Sequence, residues 1–192
     1  MLHTGLLGGS FNPIHNGHIA IARRLIDCAG LDEVWFMVSP QNPLKRQCDL
    51  LDDGLRLELV RLALEGEPQL KACGYEFRLP RPSYTWNTLQ HLSADYPDRD
   101  FTLLIGGDNA EHFGLWRNAD EIARRYRIVV YPRPDATPDT ALLPPNAVLA
   151  DTPMMDISST EVRRRVRRGE PIDDMVPPKV AQAIARQGLY RH

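Results

Sequence analysis

The stretch Leu6-Leu7-Gly8-Gly9-Ser10-Phe11-Asn12-Pro13-Ile14-His15-Asn16-Gly17-His18 decides how this chain folds. It leads from a predicted strand over residues 3–7, through a glycine pair and a turn on Asn12 and Pro13, into an amphipathic helix predicted over 17–29. A strand, a glycine turn and a helix in this order place backbone N–H groups and the positive end of a helix around an anion. His15 and His18 add ring donors at the same place. The pattern therefore predicts a phosphate-binding site.

The remaining chain alternates apolar runs with amphipathic segments. We predict strands over residues 33–38, 101–105, 128–131 and 148–150, an extended segment over 70–79, helices over 52–64, 83–94 and 119–125, and two closing helices. The prolines between 132 and 145 predict a surface loop. Apolar strands alternating with helices are typical of a parallel sheet that is covered on both faces. The sequence therefore predicts an α/β fold with a doubly wound, mostly parallel sheet.

Two details of this prediction concern the helix over 83–94 and the number of domains. Ser83 is expected to cap that helix, which turns Trp86, Leu89, His91 and Leu92 inward. Too little chain follows the proline loop to build a second core. We therefore predict a single domain over 1–192, with a small C-terminal helical segment at about 158–192.

Composition narrows the class of protein. The 192 residues carry a net charge of −2 and are 43% hydrophobic, which argues against a general nucleic-acid binder and is ordinary for a globular domain. No apolar run approaches the roughly 20 residues that span a membrane. Cys28, Cys48 and Cys73 show no metal-ligand spacing, so no protein metal site is predicted. We expect a cytoplasmic protein with no membrane or nucleic-acid partner.

Each residue of the opening stretch has a plainer interpretation when taken alone. The pair Gly8-Gly9 fits neither G-x-G-x-x-G nor a P-loop, which speaks against a Rossmann oxidoreductase, and by itself it is equally a tight turn. His15 alone suits a surface turn, and His18 alone suits a helix cap. Their combination within eleven residues, in this order, favours the phosphate site.

Residues 8–18 resemble the GG-[ST]-F-[DN]-P-x-H-x-G-H signature of the nucleotidyltransferase superfamily, and within it the bacterial nicotinate-mononucleotide adenylyltransferases. Four further segments in the same order are similar to that group: Ser83-Tyr84-Thr85-Trp86-Asn87-Thr88-Leu89, Ile105-Gly106-Gly107-Asp108 with Phe113, Trp116 and Glu121-Ile122, Ile157-Ser158-Ser159-Thr160-Glu161-Val162-Arg163, and the ending Val176-Pro177 to Gly188-Leu189-Tyr190. The resemblance covers nearly the whole chain. It implies a Rossmann-like fold and adenylyl transfer from ATP to nicotinate mononucleotide, with Mg²⁺ accompanying ATP.

The resemblance also implies two groups of substrate-binding residues. ATP is expected at Gly8, Gly9, Ser10, Phe11, His15, His18, Gly106, Arg133, Ile157, Ser158, Ser159, Thr160 and Arg163. The mononucleotide is expected at Ser10, Lys45, Tyr84, Thr85, Asp108 and Trp116. His15, His18, Lys45 and Arg163 are the expected catalytic residues, because the reaction needs positioned donors that stabilise developing negative charge.

The sequence departs from the family pattern in two places, and several alternatives remain open. Asn12 stands where many members carry Asp, and Leu44 replaces a histidine in a shortened loop that retains Lys45. One alternative is another adenylyl- or cytidylyltransferase of the superfamily, such as one acting on phosphopantetheine, although the pantetheine-type signature has Thr in place of His15 and lacks the segment over 83–89. The other is a nucleotide-binding sensor without turnover. Asp108 also suits a turn or cap, and Arg133 also suits the surface. Homo-oligomerisation is left open.

The segment around Ser158 has a structural interpretation beside the functional one. Ser158 and Glu161 fit a capping box, S-x-x-E, at the start of a helix. Arg163 lies within two turns of that start and is expected to face phosphates. The following arginines are expected on a solvated face: Arg164, Arg165, Arg167 and Arg168.

Overall fold

A computed structural model describes residues 1–40, 50–132, 143–144, 146–152 and 156–191. The strands are β1 (Leu2–Gly9), β2 (Glu33–Val38), β3 (Leu70–Cys73), β4 (Arg99–Gly106), β5 (Arg127–Tyr131) and β6 (Ala147–Leu149). The helices are α1 (Asn16–Ala29), α2 (Asp53–Ala63), α3 (Thr85–Asp95), α4 (Gly107–Ala110), α5 (Ala119–Arg125), α6 (Ser159–Arg168) and α7 (Pro178–Gln187). Two 3-10 helices cover Tyr75–Arg78 and Phe113–Leu115.

The six strands form one parallel sheet in the order β3-β2-β1-β4-β5-β6. The chain builds outward from β1 in one direction and then from β4 in the other, so the strand order reverses between these two central strands. Ligands of such sheets bind at this reversal, outside the carboxyl ends of the strands. The predicted doubly wound, Rossmann-like α/β fold is confirmed.

The register of the sheet opens a crevice at the reversal. The pairing of β1 with β2 continues to Gly9 opposite Val38. The pairing of β1 with β4 stops earlier, at Leu7 opposite Leu104. The two central strands therefore separate before their carboxyl ends, and the glycines that end β1 lie beside this gap.

Helices cover both faces of the sheet because neighbouring strand residues point to opposite sides. Leu7 belongs to the core on the face of α1, α2, α6 and α7, whereas Leu6 belongs to the core on the face of α3 and α5. All six residues of β2 are buried, as expected for a strand covered on both faces. Val162 and Ile184 are buried in the first core, so the C-terminal helices α6 and α7 are part of it.

Three local predictions are wrong. The segment predicted as extended over 70–79 is a strand only to Cys73, and residues Tyr75–Arg78 form a 3-10 helix. Helix α3 has Tyr84 as its N-cap instead of Ser83, which is buried. His91 is exposed, and its Nδ1 lies 2.7 Å from the Asn87 carbonyl oxygen one turn earlier. Tertiary packing accounts for the first two cases, because Glu76 of the 3-10 helix and Ser83 before α3 are both buried in the fold.

Most of the predicted proline loop between 132 and 145 lies outside the described residues. Within the described part of the chain, no helix is long and apolar enough to cross a membrane.

Candidate active site

The candidate site lies at the carboxyl edge of the sheet, where the crevice between β1 and β4 opens. Gly8 and Gly9 end β1, and Gly106 ends β4, followed at once by Asp108 in the short helix α4. Helices α1 and α6 both begin near the turn that follows β1. The parallel arrangement therefore gathers segments that lie far apart in the sequence.

The turn that follows β1 points its carbonyl groups into the protein. Phe11 has a φ of 45°, in the left-handed region, and its ring packs against Phe36 at 5.4 Å between centroids. A positive φ at a bulky residue is held only by its surroundings. Three carbonyl oxygens of the turn accept side-chain hydrogen bonds: Ser10 from Arg56 at 2.6 Å, Asn12 from Arg163 at 2.7 Å, and Pro13 from Ser159 at 2.8 Å.

Asn12 and Tyr190 tie the turn to the end of the chain. The Tyr190 hydroxyl donates to Asn12 Oδ1 at 2.9 Å, and the backbone N–H of Leu51 donates to the same oxygen at 3.3 Å. Burial raises the pKa of Tyr190, although the nearby charges of Arg163 and Arg56 act in the opposite direction. Tyr190 is thus a neutral donor. The amide of Asn12 serves as an acceptor here, as the more usual Asp would.

His15 and His18 stand together at the start of α1. His15 is the N-cap, and its backbone N–H donates to His18 Nδ1 at 3.2 Å. The two rings stack with centroids 3.6 Å apart. Because Nδ1 of His18 accepts this bond, the neutral ring carries its proton on Nε2, which is then a donor toward an anion. The capping and the phosphate-binding interpretations of His18 are therefore compatible.

The start of α6 meets the same turn. Ser158 is the N-cap, and its Oγ accepts from the Glu161 N–H at 3.1 Å, as predicted. The Glu161 carboxylate pairs instead with Arg164 at 2.7 Å and with Arg165 at 3.5 Å, so the reciprocal half of the predicted capping box is wrong. The hydrogen bond from Arg164 lowers the pKa of Glu161. Arg164, Arg167 and Arg168 are exposed, as expected, whereas Arg165 is half-buried.

Arg163 spans the space between α6 and the turn. Its Nη1 donates to the Asn12 carbonyl, and its Nη2 lies 3.4 Å from Thr160 Oγ1. Its Nε is buried and has no hydrogen-bond partner among the described residues. A buried cationic donor of this kind is costly unless it meets an acceptor. Arg163 is thus anchored on the protein with a donor still to be satisfied.

The two glycines of the pair have different surroundings. A Cβ on Gly8 would meet no described atom within 4 Å, so a methyl group there would occupy open space at the crevice. A Cβ on Gly9 would lie 3.0 Å from the Phe11 ring. Gly9 therefore allows the turn to pack closely, while Gly8 leaves room at the site.

A second group of residues forms at the start of α3. Tyr84 caps this helix, Thr85 is its first residue, and the first turn holds no acidic side chain. The Arg117 guanidinium lies 5.1 Å from the centroid of the Tyr84 ring. The neighbouring Trp116 has a buried indole N–H without an acceptor in the described part of the chain. A helix N-terminus, a cation and an unsatisfied donor together favour an anionic aromatic ligand.

The structure thus gathers many of the predicted site residues in two groups, one around the turn after β1 and one at the start of α3. Ile157 is half-buried and packs against the core just before α6. Lys45 and Arg133 lie outside the described residues. Arg56 was not predicted, although it lies on the same face of α2 as Leu59 and Val60, and a charge on an apolar stripe is the signal that identifies it.

The described residues contain no group of three His, Cys, Asp or Glu side chains that could hold a metal ion.

Comparison with known proteins identifies the family of this chain. Residues 6–165 match the cytidylyltransferase-like family. The chain is 49% identical to a probable nicotinate-nucleotide adenylyltransferase of Bacteroides fragilis, over 96% of this chain and 92% of that protein. It is 45% identical to one from Bacteroides thetaiotaomicron, over 95% and 91%. A Plasmodium falciparum nicotinic acid mononucleotide adenylyltransferase complexed with NaAD shares the fold, with a TM-score of 0.81, 18% identity, and 99% and 98% coverage. The chain therefore belongs to the cytidylyltransferase-like family and, within it, to the nicotinate-nucleotide adenylyltransferases.

Proposed function

We propose that the chain transfers the adenylyl group of ATP to nicotinate mononucleotide, giving nicotinate adenine dinucleotide and pyrophosphate in the biosynthesis of NAD. The observation that carries this proposal is the convergence of His15, His18 and Arg163 on one turn at the strand reversal. The high identity to relatives named for this activity supports the same reaction.

The reaction needs no general base. The second pKa of a phosphate monoester is about 6, so near pH 7 the mononucleotide phosphate is mostly a dianion. One of its oxygens attacks the α-phosphorus of ATP in line, a new P–O bond forms, and the bond to the β-phosphate oxygen breaks as pyrophosphate leaves. The protein must bring anions together and stabilise the charge on the transferring group.

We assign the ATP phosphates to the turn after β1 and to the start of α6. His18 donates from Nε2, Arg163 donates from its unsatisfied Nε, and the amide groups of Ser10 and Phe11 line the turn. The remaining ATP contacts are assigned to residues around the crevice: Gly8, Gly9, His15, Gly106, Ile157, Ser158, Ser159 and Thr160. Lys45 and Arg133 stay predictions from the sequence.

We assign the mononucleotide to the side of α3. Tyr84 and Trp116 offer ring faces and an indole N–H to the pyridine ring, and Thr85 offers the helix N-terminus to its carboxylate. Arg117 on the Tyr84 ring adds positive charge there. We assign the ribose hydroxyls to Asp108, which lies in α4 just after β4. This arrangement favours nicotinate, whose carboxylate is anionic, over nicotinamide, whose carboxamide is neutral.

Mg²⁺ is expected to enter with ATP, bound by phosphate oxygens and water. It would supply charge neutralisation on the departing pyrophosphate. The protein residues named above position the phosphates, whichever cation accompanies them. The cytoplasmic location stays a prediction, and so does the absence of a nucleic-acid partner.

Pyrophosphate release tests the proposal. The protein is incubated with ATP and Mg²⁺ and with nicotinate mononucleotide, nicotinamide mononucleotide or phosphopantetheine in parallel. We expect strong release with the first acceptor alone. Release with phosphopantetheine only would assign the chain to another transferase of the superfamily. ATP binding without release from any acceptor would favour a nucleotide sensor.

A further inference from the structure

Arg56 is a buried cation beside the candidate site. It lies on α2, its side chain is fully buried, and its Nη2 pairs with Asp53. Its other donors bind backbone carbonyl oxygens at three places: Ser10 at 2.6 Å, Ser39 at 3.0 Å and Leu51 at 3.0 Å. Arg56 thus donates to three backbone carbonyl oxygens in addition to its ion pair with Asp53.

The carbonyls that Arg56 binds lie at the functional edge of the sheet. Ser10 directly follows β1, and Ser39 directly follows β2. A backbone bond from the Ser39 N–H to the Gly9 carbonyl, at 2.9 Å, joins the same two segments. Arg56 therefore links the ends of β1 and β2 from inside the protein and holds the turn after β1 in place.

The geometry of the peptide unit carries this effect to the outside. In a trans peptide, the C=O and the N–H of one unit point in opposite directions. The Ser10 carbonyl points inward to Arg56, so the Phe11 N–H of the same unit points away from it. No described residue accepts a hydrogen bond from this N–H. Phe11, which carries this N–H, has a φ of 45°, in the left-handed region.

Electrostatics add to the geometry. The carboxylate of Asp53 is shared between Arg56 and Arg81, so it does not cancel both positive charges. A cation on a carbonyl oxygen polarises the peptide and makes its N–H a stronger donor to an anion, an effect that low dielectric increases.

We propose that Arg56 is a positioning residue for adenylyl transfer: it orients and polarises the Ser10–Phe11 peptide so that the Phe11 N–H donates to a phosphate of ATP. This inference rests on the proposed function for its reaction, although ATP binding alone is enough to test it.

The first test compares Arg56→Lys with Arg99→Lys. Lysine keeps the charge at position 56 but cannot hold three carbonyls in one plane. We expect ATP with Mg²⁺ to bind about tenfold more weakly to Arg56→Lys, and the KM for nicotinate mononucleotide to stay within about twofold. Arg99 is the control, because it is a half-buried arginine that pairs with Glu33 at the opposite end of the sheet. Arg99→Lys should lower the melting temperature without changing ATP affinity.

A purely structural role for Arg56 would give a different pattern, in which folded Arg56→Lys binds ATP as tightly as the wild type. That result would overturn the proposal. The test is separate from that of the proposed function: a wild-type protein that binds ATP but transfers to no mononucleotide would still report on Arg56.

A second measurement uses the wild-type protein and so does not depend on whether the variant folds. In a ¹⁵N-labelled sample, the Phe11 amide proton should move downfield as ATP with Mg²⁺ is added, among the largest shifts in the spectrum. A Phe11 amide that does not respond to saturating ATP would rule out the proposed donor, whatever the variant does.

Discussion

The two ends of the parallel sheet hold buried charge in opposite ways. At the amino end, both carboxylate oxygens of Glu33 have partners within the protein. One accepts from Trp35 Nε1 at 2.8 Å, from Thr4 Oγ1 at 3.0 Å and from Arg99, and the other pairs with Lys71 at 2.5 Å. At this end an acidic side chain is enclosed by cations. Arg99 also has a buried Nε without a hydrogen-bond partner among the described residues, but its Nη1 is paired with Glu33.

At the carboxyl end the sign and the arrangement are reversed. Arg56 and Arg163 bind carbonyl oxygens of the turn after β1, and His15 and His18 stack at the start of α1. Arg163 also keeps a buried Nε without a partner among the described residues.

This difference between the two ends of the sheet assigns stability mainly to the amino end and ligand binding to the carboxyl end. The Glu33 charge, whose partners lie within the protein, contributes to folding, whereas the donors around the turn after β1 lie at the strand reversal, where ligands of such sheets bind. Variants at the amino end should therefore change unfolding and leave the kinetic constants alone. Loss of a donor at the carboxyl end should mainly change the kinetic constants.

The largest effect is expected from the histidines. His18→Ala or His15→Ala should lower kcat about 10² to 10³-fold, because each removes a donor near the developing charge. Loss of the capping contact should lower the free energy of unfolding by only about 1 kcal/mol. Steady-state pyrophosphate release and thermal unfolding of the same samples give both numbers. Wild-type turnover in either variant would show that the pair only caps α1.

The glycines of β1 give a sharper contrast within one strand. Gly8→Ala should raise the KM for ATP about tenfold, since a methyl group would enter the open space at the crevice, while the melting temperature stays constant. Gly5→Ala is its matched control.

A Cβ on Gly5 would lie 2.7 Å from Leu31 Cδ1 and 2.8 Å from Leu104 Cδ1, inside the core. This substitution should lower the free energy of unfolding by about 1–3 kcal/mol and leave the KM unchanged. The comparison fails if Gly8→Ala loses stability or if Gly5→Ala loses ATP affinity in its folded state.

The amino end provides the pH-dependent case. Burial tends to raise the pKa of Glu33, but hydrogen bonds from Lys71 and Thr4 and the charges of Lys71 and Arg99 outweigh it, so the pKa is lowered. A carboxylate with a lowered folded-state pKa stabilises the fold above its unfolded pKa of about 4.3, and this contribution is lost as the pH falls through the folded value.

Glu33→Gln should therefore lower the free energy of unfolding by about 2 kcal/mol at pH 7, with the difference from wild type shrinking below about pH 4.3. Urea unfolding across this pH range measures it. Activity of the folded variant should equal that of the wild type. A difference that persists unchanged in acid would assign the effect to packing instead of charge.

The smallest effect is expected from Tyr190→Phe. This substitution removes the hydrogen bond to Asn12 Oδ1, which keeps its bond from the Leu51 N–H. We expect a loss of about 1 kcal/mol in stability and a decrease in kcat of a few-fold, because the turn loses one of several supports. An unchanged melting temperature would mean that the hydroxyl contributes nothing net to the turn.

The opening stretch was the most predictable part of the molecule. Strand β1, the turn and helix α1 follow from local signals, and helix α5 and strand β2 have their predicted bounds. The segment after β3 was less predictable, because the 3-10 helix at Tyr75–Arg78 places Glu76 where it accepts from Ser39 and Thr88 hydroxyls. Those partners are 37 and 12 residues away, so no local pattern reports them.

The sequence by itself determined the family, the strand-and-helix order and the types of donor at the site, because these depend on residue identity and short-range spacing. Only the tertiary structure decided how the donors are held. In the structure, Arg56 donates to the Ser10 carbonyl, His18 Nδ1 accepts from the His15 N–H, and the Tyr190 hydroxyl donates to Asn12 Oδ1. The Arg56 and Tyr190 contacts join residues that lie far apart along the chain, where backbone geometry and packing select the partners.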